Sequence, residues 1–350
     1  MRILLTGGAG FIGSNLVTHL LSTGAERVVV LDALTYAGNR ANLAPHAADP
    51  RFRFVHGSIL DAALVEELLE GERLDAVANL AAESHVDRSI RAPETFIETN
   101  VTGTLRLLEA ARAVLDAHPE RRERFRFLQV STDEVFGSLG PADRRFAETT
   151  PYAPTSPYAA SKAAADHLVR AWHKTYGVPT LVSNCSNNYG PYQFPEKLIP
   201  LVIHNALGNK KLPLYGDGRQ VRDWLHVADH CAALATILER GAPGETYGIG
   251  GDAERTNLEV VETICGLLDE MRPRNAGSYR DQIAFVTDRP GHDRRYAIDA
   301  GKIARTLGWQ PAQDFAAGLA ATVAWYLDHG AWVESVTSGA YRDWIAEHYS

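Results

Sequence analysis

The feature that most constrains this chain stands at its start, where a short apolar strand runs into a glycine-rich turn and an amphipathic helix. Ile3-Leu4-Leu5 leads into Thr6-Gly7-Gly8-Ala9-Gly10-Phe11-Ile12-Gly13-Ser14, and Leu16, Val17, Leu20 and Leu21 then share one helical face. The glycines can be aligned as G-x-x-G-x-x-G at 7, 10 and 13 or as G-x-G-x-x-G at 8, 10 and 13. Either spacing lets the backbone come close to a pyrophosphate at a helix N-terminus, where unpaired N–H groups and the helix dipole favour an anion. Asp32 ends the second strand, 22 residues after Gly10. A carboxylate there accepts from a ribose 2′-hydroxyl and repels a 2′-phosphate, which favours NAD over NADP. The competing reading is a glycine turn that only packs the helix onto the strand.

The same alternation continues. Val28 to Leu31, Phe52 to Val55, Ala76 to Leu80 and Phe125 to Val130 read as strands. Helices are expected after Asp61, a capping residue, and from Thr95 to Leu115. This pattern predicts an α/β fold, a doubly wound parallel Rossmann-type sheet with helices on both faces. After about residue 185 the texture changes. Pro191, Pro195, Pro200 and Pro213 break the chain into short pieces, and Thr246–Ile249 is expected to rejoin the sheet. The expected organisation is a dinucleotide domain of 1–185 plus about 224–250, with a smaller, interleaved substrate domain of about 186–223 and 251–350. Arg121-Arg122-Glu123-Arg124 reads as a solvated loop.

The 350 residues carry a net charge of −8, with 45% apolar and 22% charged residues. That composition is globular, and its acidic balance argues against nucleic acid or an anionic membrane as partner. Cys185, Cys231 and Cys265 have neither metal-ligand nor redox-motif spacing and read as buried thiols, so no metal is expected. With no signal sequence or membrane span apparent, a cytoplasmic protein is expected.

Three features suggest chemistry. Tyr158 and Lys162 stand four apart, behind Ser156 as a cap and Pro157 at the first helical position, so both face one side of a helix start. A neighbouring ammonium is expected to lower the phenol pKa, fitting the pair to take a proton from a sugar hydroxyl. Apart from a dinucleotide fold, the pair would read as an exposed helix pair. Thr132-Asp133-Glu134 follows the fifth strand, at the sheet end where such folds bind ligands, and two adjacent carboxylates there can divide acid and base roles. An isolated Asp-Glu pair would read as a solvated loop or cap. Asp288-Arg289-Pro290-Gly291-His292-Asp293-Arg294-Arg295, with Arg222 and Lys197, gathers cations suited to a diphosphate.

Taken together, these motifs resemble the extended short-chain dehydrogenase/reductase family, and within it the nucleoside-diphosphate-glucose 4,6-dehydratases. The likeness extends through Leu31–Asn39, Ala81–Asp87, Ser186-Asn187-Asn188-Tyr189-Gly190-Pro191 and Arg222-Asp223-Trp224. It implies an NAD-dependent enzyme acting on dTDP-glucose, giving a 4-keto-6-deoxy sugar nucleotide, and a homodimer formed through the helices near 95–115 and 157–174. It assigns Tyr158, Lys162 and Thr132 to C4 oxidation, Glu134 to the C5 proton and Asp133 to the departing C6 hydroxyl. NAD contacts are implied at Gly7, Gly10, Phe11, Ile12, Gly13, Asp32, Ala33, Leu34, Thr35, Ser58, Ile59, Leu80, Ala81, Ala82, Thr99, Tyr158 and Lys162. Substrate contacts are implied at Ser84, Thr132, Asn187, Lys197, Leu198, Pro213, Tyr215, Arg222, Asn257, Asp288, Arg289, Pro290, Gly291 and His292. One departure is Gly57-Ser58-Ile59, where the family usually has Gly-Asp-Ile. A neutral serine there implies weaker cofactor retention. The alternatives are a UDP-hexose epimerase, which leaves Asp133 and Glu134 unexplained, a dehydratase for GDP-mannose or CDP-glucose, and a non-catalytic NAD-binding sensor.

Overall fold

A computed structural model describes residues 1–288 and 291–337. The strands are β1 (Arg2–Thr6), β2 (Arg27–Asp32), β3 (Phe52–His56), β4 (Ala76–Asn79), β5 (Arg126–Thr132), β6 (Thr180–Cys185), β7 (Asn187–Tyr189), β8 (Leu212–Tyr215), β9 (Val221–His226), β10 (Thr246–Ile249), β11 (Glu254–Thr256) and β12 (Ile283–Val286). The helices are α1 (Phe11–Ser22), α2 (Ala62–Gly71), α3 (Val86–Arg91), α4 (Pro93–Phe96), α5 (Gly103–Ala117), α6 (Pro157–Tyr176), α7 (Leu198–Leu207), α8 (Val227–Arg240), α9 (Asn257–Met271), α10 (Gly301–Leu307), α11 (Phe315–Asp328) and α12 (Gly330–Val336).

Seven parallel strands form the main sheet in the order β10-β6-β5-β4-β1-β2-β3. Side chains alternate along each strand, which divides the apolar residues between two faces. Ile3, Leu5, Val28 and Val30 pack with Leu16, Leu20, Leu234 and Ile237 of α1 and α8. Leu4, Val29 and Leu31 pack on the opposite face with Leu68, Leu69, Leu107 and Leu108 of α2 and α5. The strand order reverses between β1 and β4, and ligands bind beyond the strand ends at such a switch point. As expected, β10 rejoins this sheet beside β6.

A separate core gathers Ile199 and Val202 of α7, Val260 and Ile264 of α9, and Leu319 and Val323 of α11. It carries the small sheets β11-β9-β7 and β12-β8. The helix expected over 95–115 is present: α4 continues without a break through a π-helical stretch, Ile97–Thr102, into α5. The Arg121–Arg124 stretch is not simply solvated. Arg121 donates to the carbonyls of Leu69 and Leu74, and Arg122 to those of Tyr176 and Gly177, so both fasten neighbouring turns. Cys185, Cys231 and Cys265 are buried free thiols. Among the described residues, no helix is long and apolar enough to cross a membrane, and no group of potential ligands is arranged for a metal ion.

Candidate active site

The switch point opens into a cleft of about 500 Å³ running from the glycine turn to the ends of β5 and β6. At its first end the glycines are needed for space. A Cβ on Gly13 would stand 2.3 Å from the Gly7 carbonyl oxygen, and one on Gly7, at φ +69°, would stand 2.8 Å from the Ala81 backbone. Gly10 precedes α1 with no side chain capping the helix, which leaves the first N–H groups for an anion. Asp32 holds the turn from the other side, accepting from Ala9 N and Leu34 N at 2.8 Å each. Burial raises its carboxyl pKa. This cradle fits a dinucleotide: glycines where a Cβ would collide, a helix start facing the cleft, and an acid at the ribose position. Gly7, Gly10, Phe11, Ile12, Gly13, Asp32, Ala33, Thr35, Ser58, Ile59, Leu80, Ala81, Ala82 and Thr99 all line the cleft. Leu34 does not, and contributes its backbone to Asp32 instead.

At the other end, Ser156 caps α6 by accepting from Ala159 N at 3.1 Å, with Pro157 in the first turn. This orients Tyr158 and Lys162 into the cleft. The Lys162 ammonium donates to the Val130 carbonyl at 2.7 Å, and burial pushes its pKa below the usual lysine range. Thr132, last in β5, hydrogen-bonds the Tyr158 phenol and the Asp133 carboxyl, and accepts from Glu134 N at 3.2 Å. Asp133 is 2% exposed, and one of its oxygens has no hydrogen-bond partner. Burial, then the Glu134 charge, hold its pKa well above the carboxylate range. A carboxyl pushed toward its protonated form beside a second carboxyl is an arrangement for donating one proton while accepting another.

The comparisons with known proteins agree with this geometry. The family profile described as GDP-mannose 4,6 dehydratase matches residues 4–322. The dTDP-glucose 4,6-dehydratase of Xanthomonas campestris pv. campestris (strain B100) is 62% identical, with 97% of each chain covered. The chain belongs to the dTDP-glucose 4,6-dehydratase family. An Escherichia coli (strain K12) member, dTDP-glucose 4,6-dehydratase 1, is 56% identical over all of this chain and 99% of its own. Among solved members, DesIV of Streptomyces venezuelae, with NAD and TYD bound, is 50% identical at a TM-score of 0.88, covering 96% of this chain and all of that one.

Of the residues this dehydratase family implies for substrate, Ser84, Thr132, Asn187 and Lys197 line the cleft. Lys197 is tied to the Ser84 carbonyl at 3.0 Å. Leu198, Pro213, Tyr215, Arg222, Asn257, Asp288, Gly291 and His292 lie off its wall. Within that group Asp288 accepts from His292 at 2.6 Å and from Gln220 at 3.1 Å, and Tyr215 meets the His292 ring edge-on. Arg222 is buried over the Tyr296 ring, near enough to oppose the upward shift of Asp133. Asn257 opens α9, and its N–H bonds Gln220 O at 3.0 Å. Arg289 and Pro290 lie outside the described residues.

Two expectations are corrected. The Tyr158 phenol pKa is not lowered; burial, then the charges of Glu134, Cys185 and Asp133, raise it well above 10. The Lys162 ammonium instead donates to a carbonyl, and its partner in charge is Asp166. The cation cluster also divides. Arg294 pairs with Asp217 at 2.9 Å on the surface, and Arg295 with Glu254 at 2.7 Å and the Asp143 carbonyl, so both are engaged by protein partners. The structure adds one residue that the sequence reading passed over. Glu196, buried on the cleft wall, accepts from the Tyr36 hydroxyl at 3.1 Å. Its signal was a charged Glu-Lys pair set between Phe194-Pro195 and Leu198-Ile199.

Proposed function

We propose that this chain converts dTDP-glucose to dTDP-4-keto-6-deoxyglucose with NAD as resident cofactor. The single observation that carries the reading is the Asp133–Glu134 pair, one carboxyl buried with its pKa pushed up by that burial, held beside Tyr158 by Thr132. Epimerisation requires no such pair. Gly7 to Gly13, Asp32 and Ser58 would hold the cofactor. NAD, when bound, supplies the acceptor for the C4 hydrogen, its return at C6, and a positive ring charge that offsets the upward push on Tyr158. Tyr158 and Thr132 take and relay the C4 hydroxyl proton, with the Lys162 charge nearby. Once C4 is a ketone, the C5 hydrogen is acidic, and Glu134 removes it. Asp133 hands its proton to the C6 hydroxyl, which leaves as water. Ser84, Asn187 and Lys197 line the proposed substrate end, and the segments of about 186–223 and 251–350, of which 289–290 and 338–350 lie outside the described residues, would make up the proposed substrate domain.

Incubation with dTDP-glucose, and in parallel with UDP-glucose and GDP-mannose, followed by mass measurement, tests this. Loss of one water from dTDP-glucose alone supports it. Conversion without mass change would replace it with epimerisation.

A homodimer is part of the reading. Ile90 and Ile97 are 45% and 49% exposed, and Ile97 lines a shallow cavity with Pro93, Glu94, Glu98 and Thr102, beside α5 and α6. A second copy would cover them. The buried free thiols suit a reducing cytoplasm.

A further inference from the structure

Lys162, Asp166 and Arg170 recur at four-residue spacing and therefore stack on one face of α6, a cation, an anion and a cation in turn. Lys162 and Asp166 are 4% and 0% exposed. The Asp166 Oδ2 accepts from Ser131 Oγ at 2.7 Å and from the Tyr152 hydroxyl at 2.9 Å. Asn184 Nδ2 lies 3.4 Å from that oxygen and also donates to the Thr132 carbonyl at 3.1 Å. Arg170 donates to the Tyr152 hydroxyl at 2.9 Å and stands over its ring. The other Asp166 oxygen, Oδ1, is buried with no hydrogen-bond partner. An enclosed carboxylate of this kind is costly unless nearby charge compensates it. No step of the reaction above uses it.

We propose that Asp166 is a positioning residue for the reaction. Its carboxylate keeps the Lys162 ammonium charged, and its bonds to Ser131, Tyr152 and Asn184 lock α6 against the ends of β5 and β6 that carry Thr132. The inference rests on the reading of Lys162 as part of the proton-transfer site. Burial lowers Lys162, with Asp166 the first charge opposing that shift, ahead of Cys185; burial likewise raises Asp166, with Lys162 the first charge opposing it. The other titratable groups around the pair are Tyr158 and Arg170 on α6, Asp133 and Glu134 after β5, Cys185 on β6, and Tyr152 on the preceding loop. Burial pushes the Cys185 thiol up to about 12, so it stays neutral through the working range. Tyr152 is raised further.

The test follows the Lys162 ammonium directly. The chain has six lysines, so ¹³Cε-labelled, NAD-loaded protein gives an assignable spectrum, with Lys162→Arg identifying the resonance. In Asp166→Asn the Lys162 midpoint is expected to fall by about one to two pH units, from an opposite charge one turn away at an effective dielectric near 20. The alkaline limb of kcat should move down by the same amount, with KM changed less than about threefold. Tyr152→Phe keeps every charge and should move the midpoint the same way, by less. An unmoved Lys162 midpoint in folded, NAD-loaded Asp166→Asn overturns the proposal. Should that variant not fold, an unmoved midpoint in Tyr152→Phe overturns it. A shifted midpoint in a protein that leaves dTDP-glucose unconverted would keep the positioning role and sink the substrate reading.

Discussion

Asp133 and Glu134 are neighbours in the chain with opposite surroundings. Asp133 is enclosed, while Glu134 is half-buried. Asp133 binds its proton more tightly in the fold than when unfolded, so its contribution to stability is greatest below its unfolded pKa of about 3.8 and is lost as pH rises toward the raised folded value. Asp133→Asn should therefore abolish most turnover, by roughly 10²–10⁴-fold, while stabilising the fold by about 1–3 kcal/mol near pH 8. Thermal melts from pH 4 upward check the sign: the gap between variant and wild type must widen with pH. Ser58 is a second residue-scale test. Its hydroxyl lines the cleft and accepts from Leu60 N at 3.2 Å. A charged acceptor bonds about twice as strongly as a neutral one, so Ser58→Asp should slow NAD release roughly fivefold in an exchange experiment with labelled cofactor. An unchanged off-rate would rule out a role for Ser58 in retention.

Element by element, α6 was the most legible. Its cap, its proline and the Tyr-x-x-x-Lys spacing are local facts, and local hydrogen bonding realises them. Ser156→Ala should lower the unfolding free energy by about 1 kcal/mol and reduce kcat more than it raises KM, because the lost cap frays the turn carrying Tyr158. Equal loss in both constants would show that the cap has no part in orienting the pair. β6 went unread. Thr180–Cys185 carries Ser183 and Asn184, polar residues that interrupt an apolar run. They are accommodated only because β5 and β10 pair both edges and Asn184 reaches the Thr132 carbonyl. The π-turn at Ile97–Thr102 was hidden for a related reason, since its polar and apolar residues keep a helical period across it.

The whole molecule gathers its site from distant positions. Gly7, Asp32, Thr132, Tyr158 and Lys197 meet along one cleft only because the strand order reverses between β1 and β4. A second copy over Ile97 would extend the scale further. Sedimentation should give about twice the 38.3 kDa chain mass for the wild type, and Ile97→Asp should shift it toward the single chain at micromolar concentration. A wild type that sediments as one chain would remove the dimer.

The sequence by itself determined the doubly wound sheet and the cofactor cradle and pointed to the side chains proposed to react, because glycine spacing, strand alternation and capping act over a few residues. The tertiary structure alone decided which charges those side chains feel. It raised Tyr158 where the sequence suggested lowering, turned Arg294 and Arg295 toward carboxylates, and enclosed Asp166 between two cations. Burial and long-range neighbours set those energies, and neither is written in local spacing.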